Sequence, residues 1–418
     1  MDENSGHSAM SANEQVDLIS ELISYGPVYG SDGQLSVAAT LAERLKYNGW
    51  DNVWLQDYKS GDLIHHPDYV PVSSFGDQYS DDTTKNKQNI IGVLDSNEPG
   101  PTLILNGHYD VEPIIDPTSW ILPWDSGSVG DGKIWGRGSS DMFGGLTSEL
   151  SIGSRFARQK GRWIGRIIFC AVTDEEVGGN GSLAAMLDLE RRGFLSEKED
   201  TYCLIAEPSD RTVASESLGF MHMLMEVRGI ARHIAGSVKS DNALYNAIEV
   251  IRNFEEVINS AALELGAKGS DLLYNFGIIR GGVDAATPID DLGIEGTVFY
   301  PSSVVDKELQ DIIVSHIAQQ TSMVNVRFSE FNFKGHSSPA NELQSALLEA
   351  RPSHSITPGS FRSPCDARVL SCSGIRKVAI YGPGSLKQAH SVDEYLDIDA
   401  LGEYNDHVTA AITKLLKK

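Results

Sequence analysis

Five short polar segments, each placed at the end of a short apolar run or in the loop after it, most constrain what this 418-residue chain can build. They are Gly107-His108-Tyr109-Asp110, Gly136-Arg137-Gly138-Ser139-Ser140-Asp141, Asp174-Glu175-Glu176, Ala206-Glu207-Pro208 and Gln388-Ala389-His390-Ser391. Short apolar runs bounded by turn residues read as buried strands. The carboxyl ends of strands in an open α/β sheet are where such sheets bind ligands. Adjacent carboxylates such as Glu175 and Glu176 repel one another and are costly to bury unless a cation is near. Together the segments offer the ligand set for two divalent ions, with one carboxylate to spare as a base.

Taken singly, each segment has a plainer reading. His108 suits a hydrogen-bonded turn, although Asp110 lies on its face and can accept the second ring N–H, fixing the tautomer. Asp141 suits a helix N-cap. Glu175-Glu176 suits a solvated turn, Glu207 an ordinary strand end and His390 a loop. The Gly136/Gly138 pair lacks the third glycine of a nucleotide loop. The shared placement of all five at strand ends is what lifts the metal reading above these.

Helical periodicity marks 12–25, with Leu18, Leu22 and Ile23 in one stripe, and 36–48, with Ala38, Leu41 and Leu45 in another. Strands are expected at Asn89–Leu94, Thr102–Asn106, Arg166–Val172 and Tyr202–Ala206, and helices at 143–159 and Ser182–Arg191. This alternation predicts an α/β layer structure with a mainly parallel sheet. The stretch 58–88 is polar and reads as a long surface loop or insertion. From Gly219 the pattern changes. Met221–Val227, Phe276–Ile279 and Gly293–Tyr300 read as strands, and Asn242–Val257 and Lys307–Gln319 as helices. That order suggests a two-layer, ferredoxin-like α+β domain. A helix at Glu342–Leu348, a strand at Lys377–Tyr381 and a helix at Ile398–Leu416 follow. Because His390 lies in this last part, residues 336–418 are expected to rejoin 1–218 in one domain, leaving 219–335 as an insertion.

Net charge is −24, from 34 basic and 58 acidic residues. Such a surface repels phosphate backbones and anionic lipid, so neither nucleic acid nor membrane is expected as a partner. The opening Met-Asp-Glu-Asn-Ser-Gly-His has neither basic nor apolar region, so a signal peptide is not expected. Cys170 and Cys203 fall in apolar runs, and Cys365 and Cys372 lack zinc-site spacing. A reducing cytoplasm is the expected compartment.

In order and wording the segments resemble the M20 metallopeptidase family, specifically its acetylornithine deacetylase and succinyl-diaminopimelate desuccinylase-like branch. The match extends over Gly107-His108-x-Asp110-Val111-x-Pro113, Trp120…Pro123-Trp124 and Asp131 to Gly145. It continues through Glu175-Glu176, Glu207-Pro208-Ser209 and His390-Ser391-x-Asp393-Glu394. The resemblance implies a zinc-peptidase-like catalytic domain with an inserted lid and dimerisation domain. It implies that Asp141 bridges two metal ions, zinc first and cobalt or manganese next, with His108 and Glu207 on one and Glu176 and His390 on the other. Glu175 would be the general base, Asp110 would orient His108, and the Asp141–Met142 peptide would be cis. His233, in Gly229-Ile230-Ala231-Arg232-His233, would donate to the oxyanion of the other subunit's site in a homodimer. His336 echoes that motif less well. The implied activity is removal of an acyl group from an N-acylated amino acid. A dipeptidase or carboxypeptidase is the alternative within the family, and a catalytically silent dimeric binding protein the alternative outside it. The chain departs from the family where Ala285 stands in place of an asparagine and no arginine stands near Val298. Arg280, Arg362 and Arg368 are the nearest substitutes for gripping a substrate carboxylate.

Overall fold

The computed structural model describes residues 10–75, 85, 87–195, 200–350 and 356–418. The opening segment and part of the 58–88 stretch (76–84 and 86) therefore lie outside the described residues.

The runs that are apolar throughout become the centre of an eight-stranded mixed sheet. Arg166–Val172, Thr102–His108, Thr201–Pro208 and Lys377–Gly382 lie side by side and parallel. Strands buried on both faces read as continuous apolar runs, because helices must cover each side. One face packs against Ala12–Ser24, Gly33–Tyr47, Gly144–Ala157 and Ile398–Leu415, through Leu18, Leu41, Leu146 and Val408. The other packs against Asn180–Arg191 and Ala367–Cys372, through Met186, Leu189 and Leu370. Flanking strands run antiparallel: Asn52–Tyr58 pairs with Lys87–Asp95, which pairs with Arg166–Val172. Thr212–Ser217 and Thr357–Phe361 complete the far edge. A separate three-stranded sheet orders Tyr395–Asp397, Lys133–Trp135 and Ser128–Gly130. Residues to Glu216, with Ser338–Phe361 and Cys365–Lys418, make up this unit.

The 58–88 stretch is not a simple surface loop where it is described. Leu63 packs with Tyr58, Leu183 and Val369, and Val72 packs with Val177. Asn180 accepts from the Val70 N–H (3.1 Å) and donates to its carbonyl (2.7 Å). Single apolar residues spaced by polar ones carry no periodicity, so the sequence hides their burial.

Ser217–Ser337 with Arg362–Pro364 form a second compact unit. Its sheet, ordered Leu273–Gly281, Asp291–Tyr300, Gly219–Arg228, Val324–Phe328, is antiparallel throughout. Met221, Met223, Met225 and Val227 alternate onto the face covered by Ala243–Glu264 and Asp306–Gln320. This is the pattern of a sheet with one covered face. The strand–helix order is ferredoxin-like. All four cysteines are free, and Cys170, Cys203 and Cys365 are buried. Among the described residues no helix is long and apolar enough to cross a membrane.

Candidate metal centre

The four parallel strands end on one side of the large sheet, and three of them carry candidate residues there: His108, Glu207 and, just past Val172, Glu175-Glu176, while Asp141 and His390 come from loops. His108 closes its strand with 1% of its side chain exposed. Its Nδ1 lies 2.9 Å from the backbone carbonyl oxygen of Asp110. A carbonyl only accepts, so Nδ1 carries a proton, and Nε2 faces the carboxylates with a lone pair when the ring is neutral and a proton when it is charged. Nε2 then faces Asp141 Oδ1 at 3.0 Å, Glu207 Oε1 at 3.9 Å and Glu175 Oε2 at 4.0 Å. The sequence reading put the Asp110 carboxylate on the ring, whereas its nearer oxygen is 3.9 Å from Nδ1. That carboxylate instead accepts from the backbone N–H groups of Glu175 and Glu176, at 3.3 Å each. Asp110 thus positions three site residues, His108 through its main chain and the glutamates through its side chain.

Asp141 sits in a wide turn, Ser139–Phe143, ahead of the helix Gly144–Ala157, and its peptide to Met142 is cis. Gly138 has φ +88°, and a Cβ there would lie 2.7 Å from Val111 and 2.8 Å from Phe143, so only glycine fits. The turn is held by Glu394. Its Oε1 accepts from the N–H groups of Gly138 (3.1 Å), Ser140 (2.9 Å) and Asp141 (3.1 Å), and its Oε2 from Arg137 (2.8 Å). Glu394 reaches the turn because Tyr395 pairs with Trp135 in the small sheet. Arg137 also donates to the carbonyls of His390 (3.2 Å) and Ser391 (3.3 Å). One buried ion pair therefore ties the Asp141 turn to the His390 loop. His390 has φ +58°, in the left-handed region, and its Nε2 lies 3.0 Å from Glu176 Oε2 and 3.5 Å from Asp141 Oδ2.

Asp141 thus presents one oxygen to each histidine. Each ring nitrogen also meets a second carboxylate, Glu207 or Glu176. A lone pair facing a carboxylate oxygen at hydrogen-bonding distance is repulsive unless a proton or a cation lies between them. The charges register this. Burial opposes a protonated His108, but the Asp141 hydrogen bond and the charges of Glu175 and Glu207 outweigh it and hold the ring well above its ordinary value. Burial likewise opposes His390, and Glu176 and Asp141 outweigh it. Burial, with Glu207 beside it, pushes the Glu175 carboxyl well up; burial, with Asp141 beside it, does the same to Glu207. Burial raises Asp110 to about 8. Crowded anions and lone-pair nitrogens of this kind fit divalent cations. His108 with Asp141 and Glu176, and His108 with Glu175 and Glu207, each present ligand atoms within 4.8 Å of one another.

A model of the peptidase family M20/M25/M40 matches residues 104–414. The chain belongs to this family. As an M20 protein it is a metallohydrolase of the peptidase and amidase type. Its fold is similar to that of human carnosine dipeptidase 1, at 15% identity and a TM-score of 0.69, over 97% of this chain and 96% of that one. It is also similar to the M20 metallo-carboxypeptidase Sso-CP2 from Sulfolobus solfataricus, at 13% identity and a TM-score of 0.69, over 96% and 98%. The dipeptidase Dug1p from Saccharomyces cerevisiae is similar at 14% identity and a TM-score of 0.67, over 98% and 99%.

Other residues singled out in the sequence have the following surroundings. His233 is in the second unit, exposed, with Nδ1 accepting from the Ala235 N–H at 3.2 Å. His336 is buried in the same unit. Arg280 pairs with Glu295, and Arg362 donates to the Ser270 carbonyl at 2.9 Å. Arg368 is buried and donates to the Gly178 carbonyl at 2.6 Å, bracing the turn after Glu176. Sequence reasoning missed four contributors. Glu394 and Arg137 lay inside the quoted motifs without a role. Asp174, with φ +66°, takes a hydrogen bond from Tyr58 (2.9 Å) and an ion pair from Lys87 (2.5 Å), anchoring the base of the Glu175 turn. Glu112 joins Glu176 and His390 in a third candidate metal group. Its position two residues beyond Asp110 was a signal that could have been read.

Proposed function

We propose that this M20 protein hydrolyses a single amide bond in a small amino-acid derivative, an N-acyl amino acid first, as in the acetylornithine deacetylase and succinyl-diaminopimelate desuccinylase-like branch. The observation that carries the reading is Asp141, whose two oxygens face His108 at 3.0 Å and His390 at 3.5 Å. In this reading His108, Asp141 and Glu207 hold one cation and His390, Asp141 and Glu176 the other. Zinc is the first choice and cobalt or manganese the next. When bound, such a pair polarises the scissile carbonyl and lowers the pKa of a nearby water toward about 7.

The chain supplies the rest. Glu175, whose carboxylate comes within 4.0 Å of His108, takes a proton from the attacking water and hands it to the leaving amine. Asp110 fixes the His108 tautomer through its carbonyl and holds the Glu175 backbone through its carboxylate. His233 completes the site of the other subunit in a homodimer, donating to the oxyanion, a contribution often worth about 3 kcal/mol. A second reading, dipeptide or carboxypeptidase substrates, draws support from the dipeptidases and the metallo-carboxypeptidase among its structural neighbours. A cytoplasmic location fits the acidic surface and free thiols.

A panel of N-acetyl and N-succinyl amino acids and dipeptides, assayed with added zinc, cobalt or manganese, separates the two readings by which class turns over. In the same assay Glu175→Ala should abolish turnover and keep full metal content. Loss of metal from that variant would overturn the assignment of the base.

A further inference from the structure

The two halves of the metal centre are not equivalent. Around His108 the carboxylates within reach are Asp141, Glu207 and Glu175, and Glu176 also joins His108 and Asp141 in one group whose ligand atoms lie within 4.8 Å of one another. Around His390 they are Asp141 and Glu176, and one more: a carboxylate oxygen of Glu112 lies within 4.8 Å of ligand atoms on both Glu176 and His390. The backbone that carries Glu112 is fixed on its N-terminal side. The Val111 N–H donates to the Pro27 carbonyl at 3.2 Å, and Val111 bridges Val28. Asp110 is locked to the Glu175-Glu176 turn by both carboxylate oxygens. Glu112 is thus delivered to the His390 half by the same segment that orients His108, and it is only partly exposed.

We propose that Glu112 is a fourth protein ligand of the cation held by His390, Glu176 and Asp141. This rests on the two-metal reading above. With Glu175 kept as the base and Glu176 assigned to the His390 side, that half then holds three carboxylates and one imidazole, against two carboxylates and one imidazole, from Asp141, Glu207 and His108, in the other. Oxygen donors suit harder ions, while imidazole suits zinc. The His390 half is therefore the one that favours an oxygen-preferring divalent ion such as manganese.

The test is a titration of metal-stripped protein with Mn²⁺ and with Zn²⁺, followed by calorimetry and by elemental analysis after gel filtration. The variants are Glu112→Gln, Glu112→Asp and Glu176→Gln. Wild type should take up two ions per chain. Glu112→Gln should leave the first binding step unchanged and weaken the second by at least tenfold, more for Mn²⁺ than for Zn²⁺. Glu112→Asp should fall between it and wild type. Glu112→Gln keeps the shape of the side chain, and an unchanged melting curve of the metal-stripped protein verifies its fold. If Glu176→Gln weakens the second step and Glu112→Gln does not, Glu112 is not a ligand and this proposal falls, while the two-metal reading stands. If neither variant alters metal uptake, the ligand set itself is wrong. Loss of activity in Glu112→Gln with both metal steps intact would place Glu112 on the substrate and also overturn the proposal.

Discussion

Glu394 holds the Asp141 turn through three backbone amides on one oxygen and answers Arg137 with the other. Both partners are buried, so removing one charge leaves the other uncompensated, which costs about 3–5 kcal/mol. Glu394→Gln should therefore lower unfolding stability by that order in a denaturant titration. It should also weaken metal uptake, because the turn and the His390 loop are no longer tied through Arg137. A denaturation midpoint equal to that of wild type would refute this. His336 offers a separate residue-scale test away from the metals. Burial lowers its pKa from 6.5 to about 4. Below pH 6.5 the unfolded chain takes up a proton that the folded chain refuses until about pH 4. Stability is then fully present above 6.5 and is lost as pH falls toward 4. Each tenfold change is worth about 1.4 kcal/mol, so the loss approaches about 3 kcal/mol. His336→Gln should flatten this slope between pH 7 and pH 4, measured as the pH dependence of unfolding.

Among elements, the helix Gly144–Ala157 and the strand Thr201–Pro208 approach closely at Gly145. A Cβ there would lie 2.0 Å from the Ala206 carbonyl oxygen, one residue from Glu207. Gly145→Ala must push helix and strand apart, at about 1–3 kcal/mol. It should lower the melting temperature and, by shifting Glu207, weaken metal uptake on the His108 side. An unchanged melting temperature would count against this packing. The central strands were legible in the sequence because they are apolar on both faces. Asn52–Tyr58 and Thr357–Phe361 were not, because they are largely exposed and show no such run, and Thr357–Phe361 carries Pro358, which suits an edge. Val324–Phe328 escaped as a named strand because Asn325 and Arg327 break its apolar residues apart and leave no continuous run.

For the whole molecule, the crowd of buried carboxylates beneath the two histidines implies that metal and stability are linked. Stripping the protein with a chelator should lower its melting temperature, and readdition of zinc or manganese should restore it. An ion present at a thousand times its dissociation constant adds about 4 kcal/mol. A melting temperature indifferent to chelator would break the link. The candidate ligand segments, the placement of His108, Glu207 and Glu175-Glu176 at or just past strand ends and the change of pattern near Gly219 were set by local composition, since each is a property of neighbours along the chain. Only the folded structure decided that the Asp110 carboxylate serves the Glu175 turn rather than the ring. Only it decided that Glu394 and Arg137 join two loops some 250 residues apart, and that Glu112 turns toward His390. The physical reason is one of range. Apolar periodicity is written in adjacent residues, whereas the partner of a polar side chain is chosen by whichever backbone the parallel sheet brings to the same edge.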